Sequence, residues 1–113
     1  MKITVTEGAG HLIATPGEAR LDAVVATAFK DRMREIIHQA DGLVRLDLSH
    51  VSFMDSSGLG AVIALLKATP VGKRLELTGL TPNVERVFRL TRMDQVFQIV
   101  PPLEPQGAEG AVI

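Results

Sequence analysis

The chain has 113 residues, of which 46% are hydrophobic, and its formal net charge at pH 7 is −1. This length suits one domain with a single core. A net charge this close to zero does not indicate binding to nucleic acid or to an anionic membrane surface. The sequence contains no cysteine, which excludes thiol catalysis and zinc sites with cysteine ligands.

A β-hairpin is predicted at the start of the chain. Apolar and polar residues alternate over 2–6, a glycine-rich turn follows over 7–10, and an extended run resumes over 11–15. Pro16 and Gly17 interrupt the second strand, because proline cannot donate to a β-ladder, so we expect the hairpin at a margin of the sheet. This start lacks the pattern of a signal peptide, and no apolar run reaches the roughly 18 residues that span a bilayer. We therefore expect a soluble, cytoplasmic protein without membrane insertion.

A first amphipathic helix is predicted from Ala23 to about Gln39. Asp22 is well placed to cap its start, and Asp41-Gly42 provides a stop. The apolar residues that mark its core-facing stripe are Val25, Phe29, Met33, Ile36 and Ile37. Residues 43–48 then alternate as a strand with apolar side chains on one face.

A second helix is predicted next, and its start carries the candidate functional residues. Its apolar stripe, at the spacing i, i+3, i+4 and i+7, consists of Leu59, Val62, Ile63 and Leu66. Asp55, Ser56 and Ser57 all suit the N-cap, because their side-chain oxygens can accept the amide protons that the first turn leaves unpaired, but only one of them can be the cap. The others then lie near the positive end of the helix dipole, where an added phosphate finds free amide donors. Gly58 and Gly60 should keep the approach free of side chains.

The remaining predicted elements are a strand, a helix and a strand. Pro70 ends the second helix, a strand follows over 75–78, and Thr81 and Pro82 open a third helix as its N-cap and first helical residue. A last strand is predicted over 96–100. The residues expected to line the third helix or to close the core at its end are Val84, Val87, Phe88, Leu90, Thr91 and Met93.

Strands that alternate with helices predict an α/β fold. We expect a single domain over 1–100, with three main helices, right-handed crossovers and a mixed, largely parallel sheet that includes the N-terminal hairpin. Residues 101–113 are rich in proline and glycine and poor in apolar residues, which predicts a flexible C-terminal tail.

Residues 53–60, FMDSSGLG, closely resemble the phosphorylation loop of STAS domains, the family of bacterial anti-sigma-factor antagonists. The resemblance covers roughly residues 1–100. It implies that Ser56, directly after the aspartate, accepts phosphate from a partner serine kinase. It also places Asp22 beside this loop, although the Gly-Glu-Leu-Asp element of the family is matched only in part here. The loop residues that it assigns to partner and kinase binding are Asp22, Met54, Asp55, Ser57, Gly58, Leu59 and Gly60.

The function that this resemblance implies is a non-enzymatic switch. Such an anti-sigma-factor antagonist binds an anti-sigma factor with serine kinase activity while Ser56 is unphosphorylated, and a serine phosphatase is a second expected partner. The alternative is a constitutive STAS interaction subunit of a lipid-transport ABC complex, in which the same loop is a structural contact.

Hydrolysis is the least favoured function. The Gly-x-Ser-x-Gly elbow is absent, and the chain's histidines, His11, His38 and His50, are scattered. No metal site, no cofactor of the chain's own and no direct contact with nucleic acid are predicted.

Overall fold

The computed structural model of the protein describes residues 1–101, so the predicted tail lies outside the described residues except for Pro101. Strands and helices alternate along this part of the chain. In chain order they are β1 (Ile3–Gly8), β2 (His11–Pro16), β3 (Arg20–Leu21), α1 (Ala26–Gln39), β4 (Leu43–Asp47), β5 (Phe53–Met54), α2 (Ser56–Ala68), β6 (Arg74–Thr78), α3 (Pro82–Leu90) and β7 (Gln98–Val100), with a short 3₁₀ helix (Met93–Gln95) before β7.

Five of the strands form one mixed sheet in the order β1-β2-β4-β6-β7. The hairpin strands β1 and β2 are antiparallel, whereas β2, β4, β6 and β7 are parallel neighbours. Each crossover from β2 to β7 moves one strand in the same direction, and right-handed crossovers of this kind place their helices on one face of a sheet. The predicted α/β fold, with the hairpin at a margin of a largely parallel sheet, is confirmed.

The hydrophobic core lies between this face and the helices. Ala14, Leu46 and Leu77 occupy paired positions on neighbouring strands, and all three are fully buried. The helical residues buried against them include Phe29, Met33, Ile36 and Ile37 of α1 and Val84 and Phe88 of α3. Most of the stripe predicted for α1 is therefore correct. Within residues 1–101, none of the helices combines the length and the apolar character needed to cross a membrane.

Helix α1 begins later than predicted. It starts at Ala26, and its N-cap position is Val25, which makes no side-chain cap hydrogen bond. Asp22 is therefore not the helix cap. Its carboxylate accepts the backbone amide of Val24, two residues on, at 3.1 Å, and so stabilises a turn that precedes the helix. Short carboxylate side chains commonly form such turns with nearby backbone amides.

The buried face of α2 also differs in part from the predicted stripe. Leu59 and Val62 are buried as expected, but Ile63 and Leu66 are only partly buried. The residues that α2 buries are Gly58, Leu59, Ala61, Val62 and Leu65. Because α2 packs against α1 and against the short strands β3 and β5, its buried face is wider than a single stripe.

The end of α3 is the other place where the predicted core is wrong. Leu90 is 76% exposed, and Phe97 closes the core instead. The ring of Phe97 packs edge-on against Phe88, with 5.7 Å between the ring centroids. The 3₁₀ helix before β7 brings Phe97 to this position, so the last strand begins at Gln98 and not at Val96.

Phe88→Ala and Leu90→Ala form a matched pair that tests this packing. Truncation of the fully buried Phe88 ring should lower the free energy of unfolding by about 3–5 kcal/mol, because it leaves a cavity. Truncation of the exposed Leu90, in the same helix, should change it by no more than about 0.5 kcal/mol. Urea unfolding followed by circular dichroism measures both values. Similar losses for the two variants would contradict the packing described for α3.

Candidate functional site

Asp55 is the N-cap of helix α2. The backbone of Asp55 is extended, and its carboxylate oxygen Oδ1 accepts the amide of Gly58 at 2.9 Å. The sequence allowed Asp55, Ser56 or Ser57 to be the cap, and the structure assigns this place to Asp55. Ser56 and Ser57 are then the first two residues of the helix, and both are exposed.

The exposed serines stand at the positive end of the helix dipole. Their backbone amides belong to the first turn of α2, so no carbonyl of the helix itself can accept from them. The hydroxyl of Ser56 is open to solvent beside these donors. An anion attached to this hydroxyl therefore finds amide donors within the same turn.

A two-stranded parallel ladder holds the segment that leads into α2. Strands β3 and β5 pair Arg20 with Phe53 and Leu21 with Met54. The carbonyl oxygen of Leu21 also accepts the amide of Asp55 at 3.2 Å. The sequence does not predict this ladder, because strands of two residues are too short to show an alternating pattern.

The carboxylate of Asp55 links this segment to the turn before α1. Its second oxygen, Oδ2, accepts the backbone amide of Ala23 at 3.3 Å. The neighbouring Asp22 therefore lies beside the loop, as the resemblance implied, and its carboxylate pairs with the Nε of Arg20 at 3.3 Å. Asp55 thus fixes the start of α2 and the turn before α1 with one side chain.

Gly58 does not keep an approach open for a partner. The residue is buried, and a Cβ atom added to it would collide with the carbonyl oxygen of Leu21, the same oxygen that accepts the amide of Asp55. The expectation is therefore wrong for Gly58, whose role is close packing of α2 on β3. Gly60 is exposed, with open space where a side chain would point, which agrees with the expectation.

Burial divides the predicted loop residues into two groups. Met54, Gly58 and Leu59 are buried and have little surface to offer a partner, so what they can do is hold the loop in place. The residues with accessible surface are Asp22, Asp55, Ser56, Ser57 and Gly60. A partner that binds this loop meets carboxylates, hydroxyls and an open stretch of backbone.

Other exposed side chains near the loop were not assigned to it from the sequence. Val24 is 88% exposed and Phe53 is 40% exposed. The guanidinium of Arg20 lies 4.2 Å from the centroid of the Phe53 ring. Lys30 of α1 and Ser57 of α2 line a shallow groove between the two helices. The position of Val24 outside the apolar stripe of the first helix was the one sequence signal for an exposed apolar contact.

The arrangement does not resemble a hydrolytic site. Within residues 1–101, no hydrogen bond joins a histidine to Ser56 or Ser57, and His11, at the hairpin turn, bonds to the carbonyl of Ala9. The same residues contain no group of three histidine, aspartate or glutamate side chains placed to hold a metal ion. What the loop offers chemically is an exposed hydroxyl beside free amides and a capping carboxylate.

Comparisons with known proteins identify relatives of this chain. The model of a family described as "Mlab, STAS domain" matches residues 18–101. The anti-sigma-B factor antagonist of Listeria monocytogenes is 33% identical to the chain over 81 residues, which are 70% of each protein.

Solved structures agree in fold. An anti-sigma factor antagonist from Mycobacterium paratuberculosis superposes with a TM-score of 0.80 at 23% identity, over 98% of this chain and 92% of that one. The Bacillus cell fate determinant SpoIIAA in its phosphorylated form superposes with a TM-score of 0.66 at 20% identity, over 99% of this chain and 100% of that one.

Gly58→Ala and Gly60→Ala test the close packing at the start of α2. The added methyl group at Gly58 collides with the carbonyl of Leu21, so we expect the free energy of unfolding to fall by about 2 kcal/mol. The same change at Gly60 meets open space inside a helix and should raise it by about 0.5–1 kcal/mol. Urea unfolding of both variants measures the difference. Changes of the same sign would show that Gly58 is not packed as described.

Proposed function

The chain belongs to the STAS domain family, and we propose that it is an anti-sigma factor antagonist controlled by phosphorylation of Ser56. Unphosphorylated, the loop before α2 binds an anti-sigma factor that has serine kinase activity. Phosphorylated, it releases this partner. The observation that carries the proposal is the exposed hydroxyl of Ser56, held at the first position of α2 directly after the Asp55 cap.

Phosphorylation changes the charge of this surface without requiring the domain to refold. A phosphate adds about −1.5 to −2 charges and acceptor oxygens. The domain itself tolerates the group, because Ser56 is exposed and the amides of the first turn can donate to it. A partner surface shaped for a neutral hydroxyl instead meets repulsion and the cost of removing water from the phosphate.

The neighbouring carboxylates increase the repulsion that a partner meets when the loop is phosphorylated. Asp55 precedes the acceptor, and Asp22 lies next to Ala23, whose amide bonds to Asp55. A phosphorylated loop therefore presents three anionic groups side by side, of which Asp22 is paired with Arg20. A coupling of about 1–3 kcal/mol, which is roughly 5- to 150-fold in affinity, is sufficient to exchange partners of similar strength.

The chain's part in the reaction is that of a substrate. The hydroxyl oxygen of Ser56 bonds to the γ-phosphorus of ATP while the bond from that phosphorus to the β-phosphate oxygen breaks. ADP leaves, and the hydroxyl proton passes to the kinase. ATP and Mg²⁺ belong to the kinase, so this chain needs no catalytic residue and no cofactor of its own. A serine phosphatase restores the hydroxyl. We propose that this cycle takes place in the cytoplasm.

Intact mass measurement tests the acceptor directly. The purified protein is incubated with ATP, Mg²⁺ and each candidate serine kinase of the same genome. We expect one kinase to add about 80 Da, one phosphoryl group, to the protein and to a Ser57→Ala variant, but not to Ser56→Ala.

Two other results of the mass measurement would change the proposal. A gain that persists in Ser56→Ala and disappears in Ser57→Ala would move the acceptor by one residue. No gain with any kinase would contradict the switch and favour the constitutive subunit of a lipid-transport ABC complex, in which the loop is a permanent contact.

A further inference from the structure

The side chain of Thr81 does not cap the helix that it precedes. Thr81 is the N-cap residue of α3, a position where a threonine hydroxyl usually accepts an amide of the first turn. Here no such bond forms. Instead its Oγ1 donates to the carbonyl oxygen of Val51 at 2.6 Å. The hydroxyl of Thr81 therefore connects α3 to the segment that leads into β5.

A second side chain at the start of α3 contacts the same segment. The Nδ2 of Asn83 donates to the carbonyl oxygen of Ser52 at 3.3 Å. On the other side, the carbonyl oxygen of Ala19 accepts the amides of Ser52 and Phe53 at 2.9 and 3.2 Å. The residues before β5 are thus bound on both sides, by α3 and by the chain before β3.

The bond to Val51 is the one whose loss has the largest expected effect. Val51 is fully buried. Among the described residues, its carbonyl oxygen accepts a hydrogen bond from Thr81. A buried carbonyl without a donor is costly, so the segment would move to find water or another donor. The ladder of β3 and β5 has only two residue pairs and gives little resistance to such a movement.

We propose that Thr81 is a positioning residue for Ser56. Its hydroxyl holds Val51, and through β5 and Asp55 it keeps Ser56 in the conformation that the kinase recognises. The meaning of this contact for phosphorylation rests on the proposed function, but the contact itself can be tested without any partner.

Amide hydrogen exchange on the full chain provides that test. In Thr81→Val, which keeps the shape and removes the hydroxyl, the amides of Ser52, Phe53 and Asp55, which bond to the carbonyls of Ala19 and Leu21, should exchange about fivefold faster, the effect of one lost hydrogen bond. Exchange in β4 and α3 should change much less. Thr81→Ser, which retains a hydroxyl, should restore the original rates. Thr91→Val is the matched control, because the hydroxyl of Thr91 donates to the carbonyl of Val87 within α3 and does not reach the loop.

Three outcomes would overturn the proposal. Unchanged exchange at the amides of Ser52, Phe53 and Asp55 in Thr81→Val would show that the contact does not hold the loop. An increase confined to α3 would make Thr81 an ordinary helix cap. An equal increase throughout the domain would make it a residue of general stability. If Thr81→Val does not fold, Asn83→Ala, which removes the weaker bond to Ser52, should still raise the exchange of these three amides, and no increase there would overturn the proposal.

The kinase identified by mass measurement gives an independent readout. The competent fraction of the loop falls in Thr81→Val, so KM should rise, by up to about fivefold, and kcat should stay unchanged. Thr91→Val should change neither value, and Thr81→Ser should restore KM. Equal KM values for Thr81→Val and the wild type would overturn the role in phosphorylation. If no kinase modifies Ser56 while the exchange result holds, the proposed function fails and the contact between α3 and the loop stands.

Discussion

The carboxylate of Asp55 is the group on which the candidate site depends. One of its oxygens caps α2 through the amide of Gly58, and the other holds the turn before α1 through the amide of Ala23. This arrangement requires α2 and β3 to approach closely, and they can do so because Gly58 has no side chain opposite the carbonyl of Leu21. The result is a fixed position for Ser56, the first residue of α2, on the surface of the domain.

The same carboxylate makes the site sensitive to a second negative charge. Asp55 already uses two amide donors, and the remaining donors of the first turn lie beside Ser56. A phosphate on Ser56 therefore has partners within the domain, which stays folded, while the surface that it presents becomes more negative for any protein that docks there. In this account a rigid loop carries the signal through electrostatics, and the contacts from α3 to Val51 and Ser52 contribute to its rigidity.

Much of the fold could be predicted because its periodic patterns are long. The stripe of α1, the parallel strands and the Thr81-Pro82 start of α3 all follow local rules. The wrong predictions concern positions whose surroundings are set by residues distant in the sequence. Leu90 continues the apolar spacing of α3, yet Phe97 fills the core. A 3₁₀ helix that the sequence did not predict brings Phe97 there. Gly58 signals a special backbone position, but the sequence does not say that the carbonyl of Leu21, and not a partner, occupies the space. Asp55 could be identified as one of three possible caps, whereas its bond to Ala23, 32 residues earlier, depends on the tertiary fold.

The most direct measurement is the affinity of the protein for the kinase that modifies it, before and after phosphorylation of Ser56. Isothermal titration calorimetry with both forms, in the presence of ADP and without ATP, gives this ratio. We expect phosphorylation to weaken binding by roughly 5- to 150-fold while the thermal midpoint of the free protein shifts by only a few degrees. Equal affinity of the two forms, or a loss of binding that accompanies unfolding of the domain, would contradict a switch that acts on the surface of a rigid loop.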